Sequence, residues 1–402
     1  MMQTLSIAGA GIAGLATALS AQRAGWQAEV FERVSVLSEV GAGVQLGPNV
    51  TRLLREWELA DALRLVAVQP EWLRARSVSS GEVVAQLDLR HLAQRHAAPY
   101  VTIHRADLHQ LLERAVKQAG AVVHLNSSVV SVHNQADAVA LHVEQSGGRT
   151  VHHAQAGVVA DGVWSALRQQ LLGDGPPRVS GHLAYRAVLA YHEVPHALRT
   201  PDVTVWMGRR VHVVCYPICA GEQFNVVCLS EGQMPDIGVP ALQDWNAQKT
   251  PSQTRADLDA ALRGACTPLR DLVDACADWR LWPLCDRAPL HGPHQQAQGR
   301  VALVGDAAHP MRPYLAQGAG MAIEDAWALG EQLKQTNTSE LPARWLQFAR
   351  NRWQRNARVQ ARAIRNGEIF HAVGPVRWGR DIGLRLLGAR LMDVPWLYGY
   401  QA

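Results

Sequence analysis

Residues 4–14 read TLSIAGAGIAG, a short apolar run followed by glycines at positions 9, 11 and 14. The run Thr4–Ala8 has the composition of a buried strand, and a helical pattern extends from Ile12 to about Ala24. The three glycines therefore occupy a strand-to-helix turn. Gly9 permits the turn, Gly11 lets a pyrophosphate approach the backbone, and Gly14 lets helix and strand pack closely. Ile12 and Ala13 open the helix, whose unpaired N–H groups and positive dipole end suit a phosphate. A second strand, Ala28–Phe31, ends at Glu32, where a carboxylate can accept the ribose 2′-hydroxyl of an adenosine. An acid there suits FAD or NAD, whereas NADP would want a base, which Arg33 supplies one residue later.

Bulk properties set the limits around this nucleus. The 402 residues are 48% hydrophobic and 18% charged, with a formal net charge of +4, the profile of a soluble globular chain with a substantial core. The charge is small for the length and Lys and Arg are scattered, which argues against a nucleic-acid partner. Six cysteines, at 215, 219, 228, 266, 276 and 285, form no C-x-x-C pair and no zinc-type spacing with histidine. We therefore expect free thiols, no metal, and the cytoplasm. The first basic residue is Arg23, so the apolar N-terminus lacks a signal peptide's charged start. No run reaches the ~18–20 apolar residues of a membrane span.

Further along, Ala75–Leu89 reads as a hairpin turning at Ser79-Ser80-Gly81, and Ala106–Gln118 as a helix. Strand-like stretches follow at 121–125, 128–132, 138–144 and 150–160. Between about 180 and 285 the texture is that of an antiparallel sheet, with strands at 182–191, 202–206, 211–216 and 223–229 and helices near 240–275. A buried strand then returns at 300–305, before long helices at 318–334 and from 342 to about 366. The tail from Phe370 to Tyr400 is apolar but broken by Gly and Pro, which predicts packing against the body. The expected class is α/β: a Rossmann-like domain with a parallel sheet, an inserted antiparallel-sheet domain, and C-terminal helices.

Two more segments carry chemistry. Val159-Ala160-Asp161-Gly162 ends a strand and leads into Ser165 and Arg168; Asp161 reads equally as a cofactor contact or an ordinary helix cap. Arg300–Gly305 is a buried strand ending at Asp306, whose carboxylate can accept a ribityl hydroxyl. Beyond it, Gln317-Gly318-Ala319-Gly320-Met321 opens a helix whose bare N–H groups can stabilise negative charge on a reduced flavin.

These segments, in this order, resemble the para-hydroxybenzoate hydroxylase family of FAD-dependent aromatic monooxygenases, and most of all its salicylate, 3-hydroxybenzoate and 6-hydroxynicotinate hydroxylases. The likeness rests on GAGIAGL (9–15), FER (31–33), GAGVQLGPN (41–49), IHRADL (103–108), ADGVWSALR (160–168), GDAAHPMRPYLAQGAGMAIEDA (305–326) and PWLYGY (395–400), and so spans the chain. It implies an FAD-binding domain in three parts (1–74, 98–178 and 286–340), a hairpin at 75–97 joining a substrate domain at 179–285, and a helical segment at 341–402. It also implies FAD contacts from Gly9, Gly11, Ile12, Ala13, Gly14, Glu32, Arg33, Gly43, Val44, Arg105, Asp161, Asp306, Gly318, Ala319, Gly320 and Met321. For Arg105 we favour this role over a simple pair with Asp107. Two departures stand out: Val159 where the family usually has Gly, and Arg312 for the usual Leu, which adds a cation near the expected substrate pocket.

In this family NAD(P)H reduces the flavin, O2 adds, and a flavin C4a-hydroperoxide hydroxylates an electron-rich ring. Deprotonating a phenol supplies the electron density, so a base is expected on the second domain. His212 and Tyr216 are four apart on one strand and share a face with Val214; relatives acting on hydroxybenzoates carry a similar pair. We expect His212 as base, Tyr216 as orienting group, and Pro313 with its carbonyl near substrate and flavin. Gln45 and Arg186 are further pocket candidates, and His309 is structural. The substrate would be a small aromatic carboxylate, with O2 as co-substrate and a homodimer possible. The absence of a second G-x-G-x-x-G fits transient binding of NADH or NADPH. The alternatives are a flavin epoxidase or oxidase, or an NAD-dependent dehydrogenase that would leave 305–326 without a role.

Overall fold

The computed structural model describes residues 2–37, 42–232, 249–334 and 336–400. Short strands, wholly apolar only at the centre, build its first sheet. The strands Thr4–Ala8, Gln27–Phe31, Val122–His124, Ala156–Val159 and Val301–Leu303 lie parallel, with Thr4–Ala8 between Ala156–Val159 and Gln27–Phe31. A two-residue antiparallel strand, Ala297–Gln298, closes the far edge. Ala156–Val159 and Val301–Leu303 are buried at every position, as central strands covered on both faces must be.

The second sheet has seven strands: Arg280–Asp286, Arg178–Ala190, Gln223–Glu231, Val211–Ile218, Val203–Met207, Trp72–Ser77 and Val83–Asp88, in that spatial order. The early hairpin thus adds its two strands beside Val203–Met207, in a parallel pairing that only a distant part of the chain can supply. Helices Pro251–Ala261 and Thr267–Ala275 cover its outer face. There Leu258, Leu269 and Leu272 pack on Val211, Val213 and Cys215, and the alternate residues His212, Val214 and Tyr216 are left to face inward. The part of the expected helical region at 240–248 lies outside the described residues.

Two expectations are corrected. The stretch 150–160 is two strands: Gly148–Ala154 belongs to a separate three-stranded antiparallel sheet, and Ala156–Val159 to the parallel one. The chain changes sheet at Gln155, whose side-chain oxygen accepts from the Thr4 amide at 2.7 Å. The tail is helical, as expected, but docks on the body chiefly at its end, where Leu397 and Tyr398 are buried; the helix Gly374–Leu387 has no buried residue, and Trp378 is 71% exposed.

Trp206 lies fully buried in the second core. Trp206→Ala should cost roughly 3–5 kcal/mol, read as a lower denaturant midpoint.

Candidate active site

The glycine turn sits where three parallel strands end. Gly9 has φ +101°, and a Cβ there would lie 2.5 Å from the Ala160 carbonyl oxygen, so turn and neighbouring strand end meet only through glycine. Gly14 approaches just as closely: a Cβ on it would lie 1.9 Å from the Gly9 oxygen. At Gly11 and Gly318, by contrast, a Cβ would find no atom within 4 Å, so both backbones border open space. Glu32 also closes the turn, its carboxylate accepting from the Ala10 amide at 2.8 Å and the Val34 amide at 3.1 Å. Arg33 beside it is exposed.

The two distant motifs converge on this turn. Gly305, at φ +56°, packs so tightly that a Cβ would lie 2.7 Å from the Cβ of Ala13, which sets Asp306 beside the first turn of the first helix. Asp306 is open to solvent yet ringed by protein, as a residue lining an internal cleft must be. Its surroundings raise its carboxyl above the usual range, while Arg105 and His309 pull it back. Beside the Gly9 turn, burial pushes Asp161 up to about 6, and its Oδ1 has no hydrogen-bond partner among the described residues. Ser165 caps the next helix by accepting from the Arg168 amide at 2.9 Å. Arg168 then donates to the Ala307 and Ala308 carbonyls at 3.0 and 2.6 Å, so the second motif holds the third in place.

Gly318, Ala319, Gly320 and Met321 form the first turn of the helix Gly318–Leu333; the amides of the first three have no partner within the helix, whereas that of Met321 donates to the Gln317 carbonyl at 2.8 Å. The open turns at 9–14 and 318–321, the accessible Asp306 and the unpartnered Asp161 oxygen bound a cleft that fits a flavin dinucleotide. The strand Gly43–Leu46 bridges from here to the second sheet: the Gly43 amide donates to Asn225 Oδ1 at 2.8 Å, with Val44 next in line.

Strand register decides what the second sheet shows this cleft. Val214 pairs with Val227 and Val227 with Arg186, while His212 and Tyr216 lie two positions either side of Val214. Arg186, His212 and Tyr216 thus share one face. Arg186 packs against the Trp282 ring at 5.0 Å; burial lowers its pKa to about 10, so it stays charged at neutral pH, with Tyr216 and Arg105 in its field. Burial raises the Tyr216 phenol, and Gln45 reaches it while accepting from Tyr100 Oη at 2.6 Å. His212 is 1% exposed and kept neutral by burial; its Nδ1 lies 2.8 Å from His371 Nε2. Pro313 opens a short turn, 313–315, between Asp306 and the helix at 318, so Tyr314 packs on the His212 ring. Arg312 adds no bare cation, because it binds Asp286 at 2.7 Å.

Sequence reasoning missed the frame beneath the cleft. Glu324 and Asp325 are fully buried and paired with Arg352 at 2.7 and 2.8 Å. Arg355 grips Glu324 through two nitrogens. Asp325 also accepts from His309 at 2.5 Å and the Gly305 amide at 3.2 Å. The signal was present as an acidic pair inside an apolar helix, with two arginines three apart on the next. His104, Asp107 and Cys219 also gather, with ligand-type atoms within 4.8 Å of one another; Cys219 lies far from the other two in sequence.

A parallel sheet with a phosphate-binding turn, beside an antiparallel sheet that carries Arg, His and Tyr, has the architecture of a flavoenzyme. Residues 1–363 match the family described as FAD binding domain, and the chain belongs to that family. It is 34% identical over 405 residues to a 3-hydroxybenzoate 6-hydroxylase of Polaromonas naphthalenivorans, covering 98% of this chain and 95% of that one. It is 33% identical over 359 residues to a 6-hydroxynicotinate 3-monooxygenase of Bordetella bronchiseptica, covering 89% of each. In fold it is similar to a salicylate hydroxylase, with a TM-score of 0.81, 23% identity, and coverage of 100% of this chain and 96% of that one. The chain is an FAD-dependent monooxygenase, and no helix among the described residues is long and apolar enough to cross a membrane.

Arg352→Met would leave two buried carboxylates short of charge and should cost roughly 3–5 kcal/mol, measured by denaturant titration. A raised acid opposes folding once pH exceeds its unfolded value, and the cost grows up to its folded value, about 6 for Asp161. In FAD-stripped protein, Asp161→Asn should therefore raise the melting temperature at pH 8 and leave it unchanged near pH 3.

Proposed function

We propose that the chain uses NAD(P)H and O2 to hydroxylate a small hydroxyaromatic carboxylate, such as a hydroxybenzoate. The observation that carries this reading is the single sheet face that presents a buried cation, a neutral imidazole and a phenol to the cofactor cleft. The relatives' substrates are hydroxylated aromatic acids, which have a carboxylate to match the cation and a phenol to match the base.

Gly9, Gly11, Ile12, Ala13 and Gly14 would hold the FAD pyrophosphate, and Glu32 the ribose, with Arg33 at the adenine end. Arg105, Asp161 and Asp306 would line the ribityl and phosphate region; Gly43, Val44 and residues 318–321 would flank the ring. Bound FAD supplies hydride acceptance from NAD(P)H and activation of O2. Arg186 would pair with the substrate carboxylate, its charge little diluted by water. Tyr216, neutral and steadied by Gln45, would donate to the substrate. His212 Nδ1 is taken by His371, and its other ring nitrogen has no partner among the described residues, free to accept the phenol proton. Pro313 would form the wall beside the reacting carbon. We place the enzyme in the cytoplasm, where NAD(P)H is supplied and the unpaired cysteines stay reduced.

Purified protein should be yellow. NADH and NADPH oxidation is then measured with 3-hydroxybenzoate, 6-hydroxynicotinate, 3-amino-4-hydroxybenzoate and salicylate, expecting at least ~10-fold stimulation by one, with a product heavier by one oxygen. His212→Gln should keep FAD and lose on the order of 100-fold in product formation. Flat rates with no oxygenated product would defeat the reading.

A further inference from the structure

The residue touching His212 comes from an unexpected quarter. His371 follows the C-terminal end of the helix Leu341–Phe370, 159 residues away in sequence, and is itself 4% exposed. Its Nε2 lies 2.8 Å from His212 Nδ1, so a single proton sits between the two rings. Its Nδ1 is buried with no hydrogen-bond partner, and the nearest charge facing it is the Glu231 carboxylate at 3.7 Å. That span is too long for a direct hydrogen bond and too short to admit a water, but a small rotation of the Glu231 side chain, which is open to solvent, closes it. Glu231 is 39% exposed and held by Arg210 at 3.3 Å. The Arg210 amide donates in turn to the His371 carbonyl at 3.2 Å, which ties the carboxylate and the ring to one corner of the sheet.

This geometry fixes the tautomers. A carboxylate facing His371 Nδ1 favours a proton on that nitrogen, which leaves Nε2 as an acceptor. The proton between the rings then belongs to His212 Nδ1, and the nitrogen of His212 left for substrate carries a lone pair. The remaining neighbours do not disturb this assignment. His182 stacks on His371 at 4.9 Å and is itself engaged by Tyr314 Oη at 2.5 Å. Arg380 donates to the Ile369 and Phe370 carbonyls and adds positive charge that, with burial and His182, keeps His371 neutral.

We propose that His371 is a positioning residue that holds His212 in its proton-accepting tautomer and, together with Glu231, carries the substrate's phenolic proton to the surface. The proposal rests on His212 being the base. In the step, the phenol O–H breaks and a bond forms to His212 Nε2. The Nδ1 proton of His212 passes to His371 Nε2, and that of His371 Nδ1 passes to the Glu231 carboxylate as its side chain closes on the ring, and from there to solvent. No electrons move. Return of a proton along the same path to the product's oxygen restores both tautomers.

The test is anaerobic stopped-flow mixing of the FAD-loaded enzyme with 3-hydroxybenzoate, or with the panel compound that stimulates most, in weak buffer with a pH-indicator dye. Phenolate formation is followed by its absorbance. His371→Gln keeps a hydrogen bond to His212 but cannot pass a proton; it should slow proton release by at least ~10-fold and enlarge the solvent isotope effect, with substrate affinity within ~3-fold of wild type. Glu231→Gln, at the surface and without risk to the core, should slow release several-fold. Wild-type release in both variants, with release lost in His212→Gln, overturns the relay and leaves the base in place. Wild-type release in His212→Gln overturns the base itself.

Discussion

A buried knot of charge, Glu324 and Asp325 against Arg352 and the partly exposed Arg355, sets the geometry of the catalytic half of the molecule. Its acidic members sit nearly two turns inside the helix whose start faces the flavin cleft, and its basic members on the long helix that follows. From there it reaches outward in three directions. Asp325 fixes the end of the strand carrying Asp306 through the Gly305 amide and His309. Glu324 fixes Asn49, which also bonds Gln317 at the helix cap. Arg355 holds the Trp396 and Leu397 carbonyls of the tail.

Such a knot is a poor way to gain stability, because removing four charges from water costs about as much as their attraction returns. What it supplies is position. An apolar contact can slide, whereas a two-nitrogen grip on a buried carboxylate has one geometry. Two helix starts and a strand end from separate parts of the chain must meet within hydrogen-bonding tolerance around one ligand, and a rigid polar frame suits that task. The tight approach of Gly305 to Ala13 adds a steric stop to the same arrangement.

The parallel sheet was legible because its information is local: Gly9, Gly11 and Gly14 after an apolar strand leave few conformations open, and Glu32 follows at the next strand end. The common face of His212 and Tyr216 was legible from the period of a strand. What could not be read depends on contacts across long separations. Arg186 joins that face only through the register of three strands. Arg312 is an added cation in the sequence, but Asp286, which neutralises it, lies 26 residues away. His371 and Tyr314 belong to segments whose local pattern says helix and turn and nothing about imidazoles. The change of sheet at Gln155 has no local signature, because both neighbouring stretches favour strand equally.

The helix Leu341–Phe370 spans 30 residues, about 45 Å as a single rod. It grips the acidic knot near its middle and ends beside the imidazole pair. Each residue inserted between those points would rotate everything beyond it by about 100° and swing the terminal ring away from its partner. The segment can therefore diverge by exchanging side chains on its outer surface, but a gain or loss of one residue is closed to it. Its length acts as a gauge that keeps the two ends in phase.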